Sequence, residues 1–131
     1  MQGMLSAVEA AGVIASPYEL CCCMRLVQTK ALPAQVRGRL QALVMPSLRA
    51  ADPDDAHLDL LRLIPAPSSF GYELVWGGLE RQAERLIASQ GDDGGWRPGR
   101  ESWYAEAHVE WAGVITCQAL ISLSAHGHLA P

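Results

Sequence analysis

Acidic side chains are concentrated in the segment Asp52-Pro53-Asp54-Asp55. A carboxylic acid in such a cluster can donate a proton when burial and hydrogen bonds set its pKa. The same residues also fit a helix start, because aspartate is a preferred N-cap residue and proline is favoured in the first helical turn. Asp54 and Asp55 are therefore the candidate catalytic residues, and a surface helix capped by Asp52 is the competing interpretation.

Aromatic and polar residues are gathered in the segment WYAEAHVEW, residues 103 to 111. Binding pockets combine aromatic walls with a few polar groups, and aromatic faces stabilise cations. The alternative is aromatic packing beside a charged helix start. His108 and Glu110 are two residues apart, so they face different sides of a helix and do not form an acid–base pair. The candidate ligand-binding residues are Trp103, Tyr104, His108, Glu110 and Trp111.

The cysteines and histidines do not have metal-ligand spacing. Cys21, Cys22 and Cys23 are consecutive, so on a helix their side chains point about 100° apart and cannot chelate one ion together. We interpret the four cysteines as free, buried thiols. His126 and His128 fall at the end of the last predicted helix, where we expect them to be exposed to solvent. The sequence therefore predicts no metal site and no cofactor.

Turn-forming residues and one large aromatic follow a helix end in LIASQGDDGGWRPG, residues 86 to 99. Gly94 and Gly95 allow positive φ, and the amide of Gln90 can tie the helix end to the turn. Trp96 can cover that turn. A phosphate site is not favoured, because the glycines follow a helix instead of preceding one. We predict that Gln90, Gly94, Gly95 and Trp96 form a structural motif.

Apolar residues recur every three or four positions along most of the chain, and no alternating strand pattern occurs. The fold class is therefore predicted to be all-α. The last predicted helix is apolar on most sides, which is typical of a helix enclosed by others. Capping and proline signals place helices over 2–15, 17–31, 53–64, 73–90 and 105–126. A further helix begins at Pro33 and continues until Pro46 interferes with it.

Composition limits the classes of function. The 131 residues suit one domain over 1–131, and half of them are hydrophobic, which argues against intrinsic disorder. The net charge is −4 and the ten basic residues are scattered, so nucleic acid is not an expected partner. Without a long apolar run or the basic start of a signal peptide, we expect no membrane span and a cytoplasmic location.

The segments RQAERLIASQGDDGGW and EWAGVITCQALISLSAHG resemble the repeat of prenyltransferases and of squalene-hopene and related class II terpene cyclases. In that family a helix ends in glutamine, an acidic turn leads to Gly-x-Trp, and the next helix ends in Ala-Leu-x-x-Leu before a closing glycine. The resemblance is clear over 73–128 and weaker over 17–30. Over 73–128 the chain also resembles the C-terminal part of uncharacterised bacterial members of the family. The matching residues are Leu86, Gln90, Gly94, Trp96, Ala119, Leu120, Leu123 and Gly127.

This resemblance implies a partial α/α toroid of about five to six helices, with the last helix among the inner ones. It also implies that residues 52–55 correspond to the D-x-D-D general-acid motif. Ile115 stands where zinc-binding members have a histidine, so zinc is not implied. The implied function is binding or cyclising a hydrophobic small molecule, such as an isoprenoid or polyketide. The alternative is a non-catalytic module that completes its toroid with a partner protein or as a homodimer.

Overall fold

The computed structural model describes residues 16–98 and 105–130, together with Gly3, Ala10 and Ile14. Over these residues the protein is helical and contains no strand, which confirms the all-α prediction. The predicted helix over 2–15 lies almost entirely outside the described residues. The helices are α1 (Pro17–Val27), α2 (Ala34–Arg49), α3 (Leu60–Leu63), α4 (Tyr72–Ala88) and α5 (Ala105–Ala125).

Helix α1 starts where the sequence predicts and ends earlier. The Ser16 hydroxyl accepts a hydrogen bond from the backbone N–H of Glu19 at 3.1 Å, so it caps the helix. After Val27 the chain turns, and the guanidinium of Arg37 on α2 donates to three carbonyl oxygens of this turn, including that of Thr29 at 2.8 Å. These bonds satisfy carbonyl oxygens that have no intrahelical partner after α1 ends at Val27.

Helix α2 continues through Pro46 to Arg49, so the prediction that Pro46 interferes with it is wrong. Leu40, Val44 and Leu48 recur every four residues and are almost completely buried. A proline inside a helix removes one backbone hydrogen bond. Burial of Leu48 beyond the proline keeps the last turn in place, because tertiary packing overrides local propensity.

The segment predicted as a helix over 53–64 is helical only at α3. Asp52 does not cap it: its Oδ1 accepts from the backbone N–H of Asp54 at 2.9 Å, and Asp55 accepts from that of His57 at 2.8 Å. Such aspartate turns compete with helix formation. The cap of α3 is Asp59, whose carboxylate accepts from the N–H of Arg62 at 3.2 Å.

The main core is formed by α1 to α4, and α5 joins it through one side. Ala119 and Leu123 of α5 are buried, together with Trp96, which precedes the helix. The opposite side of α5 is open, with Ile121 68% and Val114 45% exposed. The prediction of a helix enclosed by others is therefore not met within the described chain. Apolar residues make one side of a helix suitable for burial, but that side is buried only where another element packs against it.

Candidate functional site

The predicted turn motif between α4 and α5 is closed by local hydrogen bonds. The side-chain amide of Gln90 donates to the carbonyl oxygen of Gly94 at 2.7 Å, and the N–H of Gly91 donates to that of Gly95 at 2.8 Å. Gly94 has φ of +83°, as predicted, whereas Gly95 does not have positive φ. Gly95 instead lies close to α5, where an added Cβ would be 3.2 Å from Thr116 Oγ1.

Trp96 joins the end of α4 to α5. Its indole Nε1 donates to the carbonyl oxygen of Leu86 at 2.7 Å, and its backbone N–H donates to Thr116 Oγ1 at 2.9 Å. The residue is only 4% exposed. Trp96 therefore packs against both helices and forms a hydrogen bond with each. In this way the turn motif positions α5 against α4.

The aspartates of this turn have structural partners. Asp93 Oδ1 accepts from the N–H of Gly95 at 3.1 Å, and its Oδ2 lies 3.0 Å from the guanidinium of Arg97. These hydrogen bonds and the nearby positive charge lower the pKa of Asp93. This carboxylate stabilises the turn, and nothing in its surroundings suits a phosphate.

A cleft of about 570 Å³ lies between α4, α5 and the segment that leads into α3. Its apolar side chains are Leu58, Leu61, Leu86, Ile115 and Ala119. Its polar and charged residues are Asp54, Asp55, Asp59, Arg62, Gln82, Arg85, Ser89, Gln118 and Ser122. Both predicted catalytic residues thus line one concave site.

Asp54 and Asp55 nevertheless lack the surroundings that a proton donor requires. The side chain of Asp54 is 61% exposed, and its carboxylate lies 2.9 Å from the guanidinium of Arg85 and 3.9 Å from that of Arg81. Asp55 is also exposed and accepts the N–H of His57. An acid that protonates a hydrocarbon must be buried and kept protonated. The two residues form the charged edge of the cleft.

Asp59 is a cleft residue that the sequence interpretation missed. Desolvation in the cleft raises the pKa of its carboxyl, and the N–H and guanidinium of Arg62 partly offset this rise. The residue as a whole is exposed to solvent, which limits this desolvation. The signal in the sequence was an aspartate directly before the apolar pair Leu60-Leu61. A residue that caps a helix with buried side chains lies close to the core.

Replacing Asp59 with asparagine should make the protein as stable as or more stable than the wild type at pH 7. Asparagine keeps the capping oxygen and removes the desolvated charge. The raised pKa of Asp59 means that its contribution is fully present below the unfolded pKa of about 3.9 and is lost as pH rises through the folded value. Urea denaturation between pH 3 and 7 should show the two proteins converging at low pH. The prediction would be contradicted if the stability of Asp59→Asn relative to the wild type were lower at pH 7 than at pH 3.

The predicted aromatic residues are only partly described, since Trp103 and Tyr104 lie outside the described residues. His108 and Trp111 stand seven and four residues before Ile115, so they lie on the side of α5 that faces the cleft. Trp111 is 58% exposed. Glu110 is about 100° further round the helix and faces away from the cleft. Neither His108 nor Trp111 lines the cleft itself, but both lie on the same side of α5 as its lining residues, whereas Glu110 does not.

The two histidines after α5 are not exposed as predicted. His126 Nε2 lies 2.7 Å from the carbonyl oxygen of Ile64, and its ring stacks on Tyr72 with centroids 6.1 Å apart. His128 Nε2 lies 3.5 Å from a carboxylate oxygen of Glu80. Both rings fold back onto α3 and α4, because Gly127 between them adopts φ of +78° and reverses the chain. They anchor the C-terminal end of α5.

Thiols and possible metal ligands remain dispersed in the described part of the chain. No group of three histidine, cysteine, aspartate or glutamate side chains there could hold a metal ion. All four cysteines are free thiols, as predicted, but only Cys23 is fully buried, and its burial raises its pKa. The prediction of a buried thiol is wrong for Cys117, which is exposed on α5. The described helices include none with the length and apolar character needed to cross a bilayer.

Comparison with protein-family models, with curated proteins and with solved structures finds no match to this chain. Function is therefore argued from the geometry and chemistry of the cleft and of α5.

Proposed function

We propose that this chain is an arc of an α/α toroid that binds a hydrophobic small molecule, such as an isoprenoid or polyketide, in the cleft between α4 and α5. The observation that carries the proposal is a concave site of about 570 Å³ with an apolar floor. Pockets for small molecules usually measure about 300 to 1,000 Å³ and combine apolar walls with a few polar groups. Trp111 extends this surface along the same side of α5.

The edge of the cleft carries charges of both signs. Arg62 and Arg85 line it together with the carboxylates of Asp54, Asp55 and Asp59. Guanidinium groups bind phosphate oxygens through paired hydrogen bonds, and an anionic ligand would compete with Asp54 for Arg85. A prenyl diphosphate would place its hydrocarbon chain on Ile115 and Ala119 and its anionic end at the two arginines, in place of Asp54.

A cyclisation step would need a protonated carboxyl beside the hydrocarbon. Asp54, Asp55 and Asp59 are all exposed, so none of them meets this requirement, although desolvation raises the pKa of Asp59. We therefore propose ligand binding in the cleft and assign no acid chemistry to these residues.

Binding can be tested by thermal unfolding in the presence of prenyl diphosphates of increasing chain length and of polycyclic hydrocarbons. A ligand that binds the folded state raises the unfolding temperature in a saturable way, by about 2.7 kcal/mol of stability at 100 times its Kd. Replacing the exposed cleft residue Gln118 with tryptophan should fill the cleft and remove the shift. Glu84→Trp, which adds the same side chain on an exposed α4 position outside the cleft, should retain it. No shift with any of these compounds would refute the binding proposal.

The second candidate function is a non-catalytic helical module that associates with another protein. It is supported by the side of α5 that faces away from the cleft, where six exposed positions carry small or apolar residues beside the exposed Glu106 and Glu110. We name this side the outer α5 surface, and it consists of Val109, Gly113, Val114, Cys117, Leu120 and Ile121. Concentration-dependent association without any ligand-induced shift would favour this candidate.

A further inference from the structure

A second cavity adjoins the cleft, between the start of α1 and the segment that leads into α3. Its volume is about 340 Å³, which is within the usual range for small-molecule pockets. We name it the side cavity. The residues that line it but not the cleft include Pro17, Tyr18, Cys21 and Leu63, so its wall is largely apolar.

Leu58 forms the apolar wall between the two cavities. The cleft and the side cavity share three lining residues, which are Leu58, Asp59 and Arg62. Leu58 is only 8% exposed and belongs to the main core. Its backbone N–H donates to the carbonyl oxygen of Asp55 at 3.0 Å, and its own carbonyl oxygen accepts from the amide of Gln82 at 2.9 Å. Because both backbone groups are bonded, Leu58 is a fixed partition.

Charged side chains of both signs lie where the two cavities meet. Arg62 and Asp59 line both cavities and are exposed to solvent, and Asp54 and Asp55 line the cleft. Guanidinium groups bind phosphate oxygens, whereas carboxylates bind ammonium groups. A headgroup that carries both a phosphate and an amine therefore complements this edge better than a purely anionic one.

We propose that the cleft and the side cavity together bind one zwitterionic phospholipid with two hydrocarbon chains, one on each side of Leu58. The phosphate binds Arg62, and the ammonium group binds the aspartates at the edge of the cleft. One chain lies on Ile115 at the floor of the cleft, and the other lies against Leu63 in the side cavity. A ligand with a single chain occupies only one of the two cavities, since Leu58 separates them.

This inference rests on the ligand binding proposed above for the cleft, and it adds the side cavity to that binding. A ligand with one chain needs the cleft alone, whereas the second chain needs the side cavity. A comparison of ligands with one and two chains therefore tests the inference separately from the proposed function.

The first experiment compares dihexanoylphosphatidylethanolamine with its one-chain lyso form, both as monomers below the concentration at which micelles form. Calorimetric titration of the wild type should give a dissociation constant at least about tenfold lower for the two-chain lipid, because its second chain buries further apolar surface. Arg62→Gln should weaken both lipids by a similar factor, since they share the headgroup. Dihexanoylphosphatidic acid, which lacks the amine, should bind more weakly, and tighter binding would overturn the zwitterionic headgroup.

Filling the side cavity should affect only the second chain. Cys21→Trp should remove the preference for two chains and leave the affinity for the lyso lipid unchanged. Cys22→Trp adds the same side chain at a half-buried α1 position that does not line the side cavity, so it should keep the preference. Equal affinities of the wild type for the two lipids would overturn the inference and leave binding in the cleft intact. If neither these lipids nor prenyl diphosphates bind, the proposed function fails as well.

Alkylation of Cys21 locates the second chain in the unaltered protein. The two-chain lipid should slow the reaction of Cys21 with iodoacetamide, measured by peptide mass spectrometry, whereas the lyso lipid should not. Cys117 is exposed and lines neither cavity, so the rate of its alkylation should stay the same and serves as the internal control. Binding of the two-chain lipid without protection of Cys21 would show that the second chain does not enter the side cavity.

Discussion

Replacing Trp96 with alanine is expected to lower the free energy of unfolding by about 3 to 5 kcal/mol, the usual cost of removing a buried aromatic side chain. Trp96 is 4% exposed and belongs to the core cluster that includes Ala119 and Leu123 of α5. Its indole is also the donor to the carbonyl oxygen of Leu86. The loss therefore combines a cavity with one lost hydrogen bond, while the carbonyl oxygen of Leu86 keeps the backbone N–H and the hydroxyl of Ser89 as donors.

Two further variants separate these contributions. Trp96→Phe keeps most of the apolar volume and removes the indole N–H, so it should cost less than the alanine variant. Trp76→Ala, at a position that is 55% exposed on α4, should change stability only slightly. Urea denaturation with fluorescence or circular dichroism measures all three. A loss below about 1 kcal/mol for Trp96→Ala would show that Trp96 does not hold α5 to α4.

Replacing Gln82 with alanine should destabilise the protein by about 2 to 4 kcal/mol, because the buried N–H of Leu60 and the carbonyl oxygen of Leu58 lose their partner. The carbonyl oxygen of Pro53 keeps the guanidinium of Arg85 as a donor. The side-chain oxygen of Gln82 accepts from the N–H of Leu60 at 2.8 Å. Its amide donates to the carbonyl oxygens of Pro53 and Leu58 at 3.1 and 2.9 Å. One α4 side chain thus holds both ends of the segment that forms one wall of the cleft.

The same substitution should also weaken ligand binding in the cleft, since that wall would lose its anchor. Gln118→Ala, which changes an exposed amide of the same cleft, serves as the matched control and should leave stability within about 0.5 kcal/mol. Chemical denaturation and ligand titration by thermal shift give the two readouts. Equal stabilities of Gln82→Ala and Gln118→Ala would contradict the assigned role of Gln82.

The predictions that the structure confirms rest on short-range interactions. The start of α1 follows from Ser16 and Pro17, and the turn after α4 follows from Gln90 and Gly94. The α4 and α5 helices begin and end within two residues of their predicted bounds. In each case the interacting groups are at most a few residues apart, so residue type and spacing determine the local structure.

The predictions that failed depend on partners far along the chain. Pro46 remains helical because Leu48 is buried beyond it, and His126 is held by the carbonyl oxygen of Ile64, 62 residues away. The cleft wall is shaped by Gln82, which is 22 residues from Leu60. A single sequence does not indicate which distant groups will meet, so Asp59 was not recognised as a cleft residue.

Helix α5 shows what the sequence determined and what the tertiary structure determined. The sequence by itself determined that α5 is a helix, that it follows a turn closed by Gln90, Gly94 and Trp96, and that most of its circumference is apolar. Only the tertiary structure decided which side is buried. Trp96 and the carbonyl oxygen of Ile64 hold one side against α3 and α4, and the outer surface is left open. Periodicity records how apolar each side of a helix is, whereas burial depends on which other elements are present to cover it.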